Sequence, residues 1–127
     1  MPKQKAAPTT PCDRGPDTPP LVKLKVAQGQ PVALDFFYCF TPGNMIVRLD
    51  DQVLVNRPVP PPETLHVDLP ALPSGLHTLS WLFHPTNIKW KAASEVSVGG
   101  SVKRRQTTDN ASEPLHLVLD SVFLEVP

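Results

Sequence analysis

Val32-Ala33-Leu34-Asp35-Phe36-Phe37-Tyr38-Cys39-Phe40 puts Val32, Leu34, Phe36, Tyr38 and Phe40 on one face and Ala33, Asp35, Phe37 and Cys39 on the other. A period of two belongs to a β-strand, whose successive side chains point to opposite faces. The same period runs outward from this stretch in both directions. Upstream, Val22, Leu24 and Val26 alternate with Lys23 and Lys25. Downstream, Thr41-Pro42-Gly43-Asn44 has turn composition, and Met45, Val47 and Leu49 then face inward against Ile46 and Arg48. Asp50-Asp51 turns the chain into a short run at Val53-Leu54-Val55.

Arg57-Pro58-Val59-Pro60-Pro61-Pro62 lacks the donors of a central strand and reads as a connection crossing between sheets. Leu65, Val67 and Leu69 alternate with His66 and Asp68. Leu76 to His84 is a strand with Leu79, Trp81 and Phe83 inside. His84-Pro85-Thr86-Asn87 reads as a hairpin turn into a strand carrying Ile88, Trp90, Val96 and Val98, with a bulge at Ala92-Ala93. Gly99 to Glu113 is polar and reads as a long mobile loop. Leu115, Leu117 and Leu119 then change phase to Val122, Leu124 and Val126, which predicts a kink at Asp120-Ser121. The expected architecture is an all-β, antiparallel two-sheet sandwich, immunoglobulin-like, of about eight strands.

Composition agrees. The 127 residues make one domain, and 17 prolines spread along the chain exclude an all-α protein. Twelve Lys+Arg balance twelve Asp+Glu, so charge alone gives no reason to expect nucleic acid or an acidic membrane as partner. No apolar run approaches the ~18 residues of a membrane span. Residues 1–20 hold six prolines and almost no large apolar side chain, and read as a disordered or partly extended arm before a sandwich over 21–127. The basic start Met1-Pro2-Lys3-Gln4-Lys5 is followed by no apolar segment, so the expectation is a cytoplasmic protein, with leaderless export left open. Of the two cysteines, Cys12 lies in the arm, and Cys39 reads as a free thiol packed as a small hydrophobe.

Leu69-Pro70-Ala71-Leu72-Pro73-Ser74-Gly75-Leu76-His77-Thr78-Leu79 resembles the E–F corner of immunoglobulin-like and fibronectin-III-like domains. The resemblance implies that His77 stands where the corner tyrosine would be, tying the corner to the backbone, and Leu79 where the second disulfide cysteine would be. It implies an architecture and no activity.

No nucleophile elbow, zinc spacing, phosphate loop or dinucleotide fingerprint occurs, so no catalytic residue, metal or cofactor is expected. Under an immunoglobulin-like strand order, Cys39, His66 and Asp68 share an outward face. Three such ligand types could hold zinc, but a solvated strand face is the preferred reading. Lys103, Arg104 and Arg105 form a basic cluster in the 99–113 loop, beside Lys89 and Lys91, without stacking aromatics to make it a nucleic-acid site.

The outward apolar residues Ile46, Leu54 and Leu82, with Arg48, Lys89 and Lys91 around them, have the pattern of a protein-binding patch. The leading expectation is therefore a non-catalytic interaction module, a structural or adaptor subunit that binds another protein or itself. A carbohydrate-binding sandwich comes second and would need exposed Trp81 or Trp90. A small metal-dependent enzyme comes third.

Overall fold

The computed structural model describes residues 17–19, 21–39, 41–59, 64–109 and 117–127. Nine strands form two sheets and no helix occurs among these residues, so the chain is an all-β two-sheet sandwich. The strands are β1 (Lys23–Lys25), β2 (Val32–Cys39), β3 (Gly43–Leu49), β4 (Gln52–Val59), β5 (Leu65–Asp68), β6 (Gly75–Pro85), β7 (Lys91–Val98), β8 (Ser101–Asp109) and β9 (Val118–Val126).

One sheet has five strands in the order β1-β9-β6-β3-β4, and the other has four in the order β5-β2-β7-β8. All ladders are antiparallel except β1 on β9, where Lys23, Leu24 and Lys25 lie opposite Phe123, Leu124 and Glu125. Along these nine strands the chain changes sheet six times, between β1 and β2, β2 and β3, β4 and β5, β5 and β6, β6 and β7, and β8 and β9. Pro58 is accommodated because β4 is an edge strand and a missing donor on its open side costs no ladder bond.

The alternation read from the sequence fills the space between the sheets. Leu34 and Phe36 on β2 and Met45, Val47, Leu79, Trp81 and Phe83 on the facing sheet are all buried. Phe36 and Phe83 stand 4.9 Å apart in a tilted pair, and Tyr38 stacks on Phe83 at 5.6 Å. Removing a side chain such as Leu34 from water is worth about 1.5–3 kcal/mol, so this layer is the main source of stability.

Four expectations are corrected. The polar stretch after Gly99 is in large part the strand β8, paired residue for residue with β7 from Ser101 to Asp109 around a bulge at Val96/Ser97. His84–Asn87 is not a hairpin turn within one sheet. It begins the crossing that carries the chain to the other layer, where Trp90 is buried and Ile88 is exposed. β9 has no phase change: Val118, Val122, Leu124 and Val126 are buried on one parity and Leu119 and Phe123 are exposed on the other. Cys39 is disulfide-bonded rather than a free thiol.

The arm expected over residues 1–20 lies outside the described residues except for Asp17–Pro19. Asp17 and Thr18 line the open edge of β8. The Thr18 amide donates to the Arg105 carbonyl at 3.0 Å, and Asp17 Oδ2 accepts from the Thr107 amide at 3.1 Å. An edge strand otherwise presents a row of unpaired groups, and these contacts satisfy part of that row.

Candidate interaction surface

The five-stranded sheet turns one face to the core and the other outward. On the outer face, register places Ile46 on β3 opposite Leu82 on β6, and Leu82 opposite Leu119 on β9. These three residues form one apolar row across three adjacent strands. The next row is Arg48, Ser80 and Ser121, and the one beyond is Thr78, Phe123 and Lys23. Leu119 is 67% exposed, Phe123 is 42% exposed, and Ile46 and Leu82 are half-buried. Directly opposed side chains in a sheet lie within contact distance, so the row is a continuous strip rather than scattered residues.

Charge surrounds the strip. Arg48 is exposed beside it, and Lys23 pairs with Glu125 at 3.4 Å on the β1–β9 side. An apolar centre with a polar rim is the usual anatomy of a protein contact.

The sheet admits only part of the patch expected from the sequence. Ile46, Arg48 and Leu82 are brought together as expected. Leu54 is not outward: it is half-buried and packs against the core, because a bulge at Val47/Arg48 pairs Arg48 with Val53 and inserts Leu54 between the regular positions. Lys91 stands in β7, which belongs to the other sheet, and exposed Lys89 lies in the crossing segment before it. Neither rims the strip. Leu119 and Phe123 take their place, and the true parity of β9 is the signal that would have revealed them.

The basic cluster is divided between three environments. Lys103 is the exposed extra residue of the β8 bulge. Arg104 points inward, with Nη1 and Nη2 each 3.0 Å from an Asp120 oxygen and Nε donating to the Leu21 carbonyl at 2.8 Å. Its guanidinium also sits 5.8 Å from the Trp81 ring centre. Arg105 points to the outer face of the four-stranded sheet, where its Nε donates to Glu95 Oε2 at 2.7 Å. The three do not act as one cationic surface.

β2 pairs with β5 as expected, and it places Asp35, not Cys39, beside His66. His66 Nδ1 lies 2.6 Å from Asp35 Oδ1 and Nε2 lies 2.9 Å from Asp68 Oδ1. With a carboxylate at each nitrogen, the ring favours its charged form, and its pKa is raised above 6.5, first by Asp35 and then by Asp68. Both ring nitrogens of His66 are thereby engaged by carboxylates. Among the described residues, no group of three or more His, Cys, Asp and Glu is placed to hold a metal ion.

His77 ties the start of β6 to the segment before it. Its Nε2–H donates to the Pro73 carbonyl at 2.8 Å, while Nδ1 lies 2.8 Å from Asp50 Oδ2. Asp50 closes the β3–β4 turn at a φ of 53°, a conformation that Asp tolerates better than most residues. Its Oδ1 also accepts the Thr78 amide at 2.9 Å. The Asp50 bond raises the His77 pKa above 6.5, with the Pro73 carbonyl assisting, and lowers that of Asp50 in return. This is a structural staple joining the β3–β4 turn to β6.

A cleft of about 240 Å³ at the β8/β9 margin is lined by Phe36, Ser94, Gln106, Thr107, Thr108 and Asp120, among others. Trp81 and Trp90 are buried, at 1% and 0% exposure, so neither indole offers a platform to a sugar. No helix among the described residues is long and apolar enough to cross a membrane.

Comparison of the chain with protein families, with curated proteins and with solved structures returns no match.

Proposed function

We propose that this chain is a non-catalytic protein–protein interaction module that receives its partner, another protein or a second copy of itself, on the outer face of the five-stranded sheet. The observation that carries this reading is the in-register row Ile46–Leu82–Leu119, with exposed Phe123 on the same face two rows further along β9. Sandwiches that present such a face gain affinity by removing it from water, and a polar rim sets the register. An immunoglobulin-like relationship belongs to the same proposal, supported by the His77 corner and by the pairing of β2 with β5.

The disulfide at Cys39 argues for an oxidising compartment over the cytoplasm, since cytosolic thiols are kept reduced.

The test compares the full chain with a Leu82→Glu/Leu119→Glu variant by size-exclusion chromatography with light scattering, and by crosslinking in the native source. Loss of a dimer, or of a specific crosslinked partner, in a variant that melts as the parent does supports the reading. Identical assembly state and identical partners in both proteins would remove it.

A further inference from the structure

The exposed apolar surface of the molecule is unevenly shared. Among the described residues, eight large hydrophobic side chains are exposed. Four of them, Val53, Leu76, Leu119 and Phe123, stand on the outer face of the five-stranded sheet. The other four are divided between the residues leading into β1, the β6–β7 crossing and β8. On the favoured face, β6 is the central strand, with β9 on one side and β3 on the other. The row Ile46–Leu82–Leu119 is therefore centred on β6, with one apolar residue to each side. A row centred in this way is its own complement.

We infer, resting on the strip proposed above as a binding surface, that its occupant is a second copy of this chain, packed sheet to sheet about a two-fold axis parallel to β6. Such an axis lays β3 of one copy over β9 of the other, and β6 over β6. Leu82 then meets the partner copy's Leu82, and Ile46 meets the partner copy's Leu119 in two equivalent contacts. The order of rows along the strands is kept. Leu76 on β6 therefore meets its own counterpart, and Phe123 lies over the end of the partner copy's β3. An axis perpendicular to the strands would also bring the row together. It inverts the order of rows, however, and carries Leu76 and Phe123 past the ends of the partner's strands into water.

Charge and area both permit this contact. Twelve Lys+Arg balance twelve Asp+Glu, so two copies approach without net repulsion. The axis puts the two Arg48 residues on opposite sides of β6. They stand two interstrand spacings apart across the sheet and one sheet spacing apart in depth, about 14 Å in all. That exceeds the screening length of about 8 Å at physiological salt. Each Arg48 rests over the partner copy's Ser121, and the small Ser80 and Ser121 beside the strip let the two sheets close to the usual spacing. Five strands about 4.8 Å apart, over the seven residues of β3, give a flat footprint of about 600 Å². Two such faces remove about 1,200 Å², where specific interfaces begin.

The test uses the full chain throughout. Light scattering over a dilution series is expected to show a monomer–dimer equilibrium. Leu119→Glu should weaken the dimer by about tenfold or more, since it buries a charge against the partner copy's Ile46. The variants Ile46→Cys, Leu82→Cys and Leu119→Cys are then treated with a short bis-maleimide, and no cysteine among the described residues is free to compete. Leu82→Cys should crosslink to itself. A mixture of Ile46→Cys and Leu119→Cys should crosslink several-fold more than either does alone. A parent chain that stays monomeric at the highest concentration it reaches overturns the inference, as does a dimer unchanged by Leu119→Glu. So does a dimer without these crosslinks, or one in which Ile46→Cys joins itself as readily as it joins Leu119→Cys. The scattering measurements decide the matter even where a cysteine variant fails to fold. A monomer that still yields a Leu82-dependent crosslinked partner in the native source removes the second copy and keeps the strip as a binding surface.

Discussion

Arg104 on β8 and Asp120 on β9 face each other across the gap between the two sheets, joined by two bonds of 3.0 Å each. A bidentate pair at this position is the polar counterpart of the apolar core around it. The Arg104 side chain is 7% exposed and that of Asp120 28%. Charges removed from water to this degree stabilise little as a pair, but either one left alone is costly.

Asp120→Ala should therefore destabilise the domain by about 3 kcal/mol, because it strands a buried guanidinium. Arg104→Met/Asp120→Leu should recover most of that loss. Urea unfolding of the three proteins measures both effects, and equal stability of the single and double variants would contradict the assignment.

The two carboxylate-paired histidines give a pH profile whose direction is fixed. His66 and His77 have folded pKa values raised above 6.5, so their stabilisation is complete below that pH and is lost as pH rises through the folded values. Asp50 is lowered from 3.8, so its contribution is present above that pH and is lost as pH falls through its folded value. Ring-proton NMR titration should place both histidine midpoints above 6.5. Asp50→Asn should bring His77 back toward the ordinary value and leave His66 where it is.

Gly43 opens β3 where it meets the end of β6. A methyl group there would stand 2.3 Å from the His84 carbonyl oxygen and 2.8 Å from the Pro85 Cα, both backbone atoms. Gly43→Ala should cost about 1–3 kcal/mol, since the two strands must part to admit it. Thermal unfolding that matches the parent would show the strands to be further apart at this point.

The parity of β9 is open to a direct check. Leu119→Glu, at an exposed position, should change stability by no more than about 0.5 kcal/mol, whereas Leu124→Ala, at 0% exposure, should cost about 2–5 kcal/mol. The reverse order would restore the phase change read from the sequence.

Period-two patterning carried most of the fold in the sequence: Leu34, Phe36, Met45, Val47, Leu79, Trp81 and Phe83 are all where alternation puts them. It missed β8 because that edge strand alternates polar with polar, and its one buried residue is a charge, Arg104. The same pair misled the reading of β9. Asp120 occupies an inward position, and a carboxylate there reads as a turn unless its partner is known. Sheet membership of β7 was illegible for a different reason. A short connection such as 86–90 has the same composition whether it folds back within a layer or steps across to the next. Half of the outward apolar set, Ile46 and Leu82, was visible on local alternation, and the other half, Leu119 and Phe123, depended on the parity of β9.

The parallel ladder between β1 and β9 sets a schedule for folding. Lys23 meets Phe123 a hundred residues later, and β9 is also the strand that flanks β6. During synthesis the first strand has nothing to grip until the ninth has left the ribosome. The five-stranded layer is completed only after translation of β9, and a nascent chain halted before Val118 exposes the edge of β6 to any extended segment nearby.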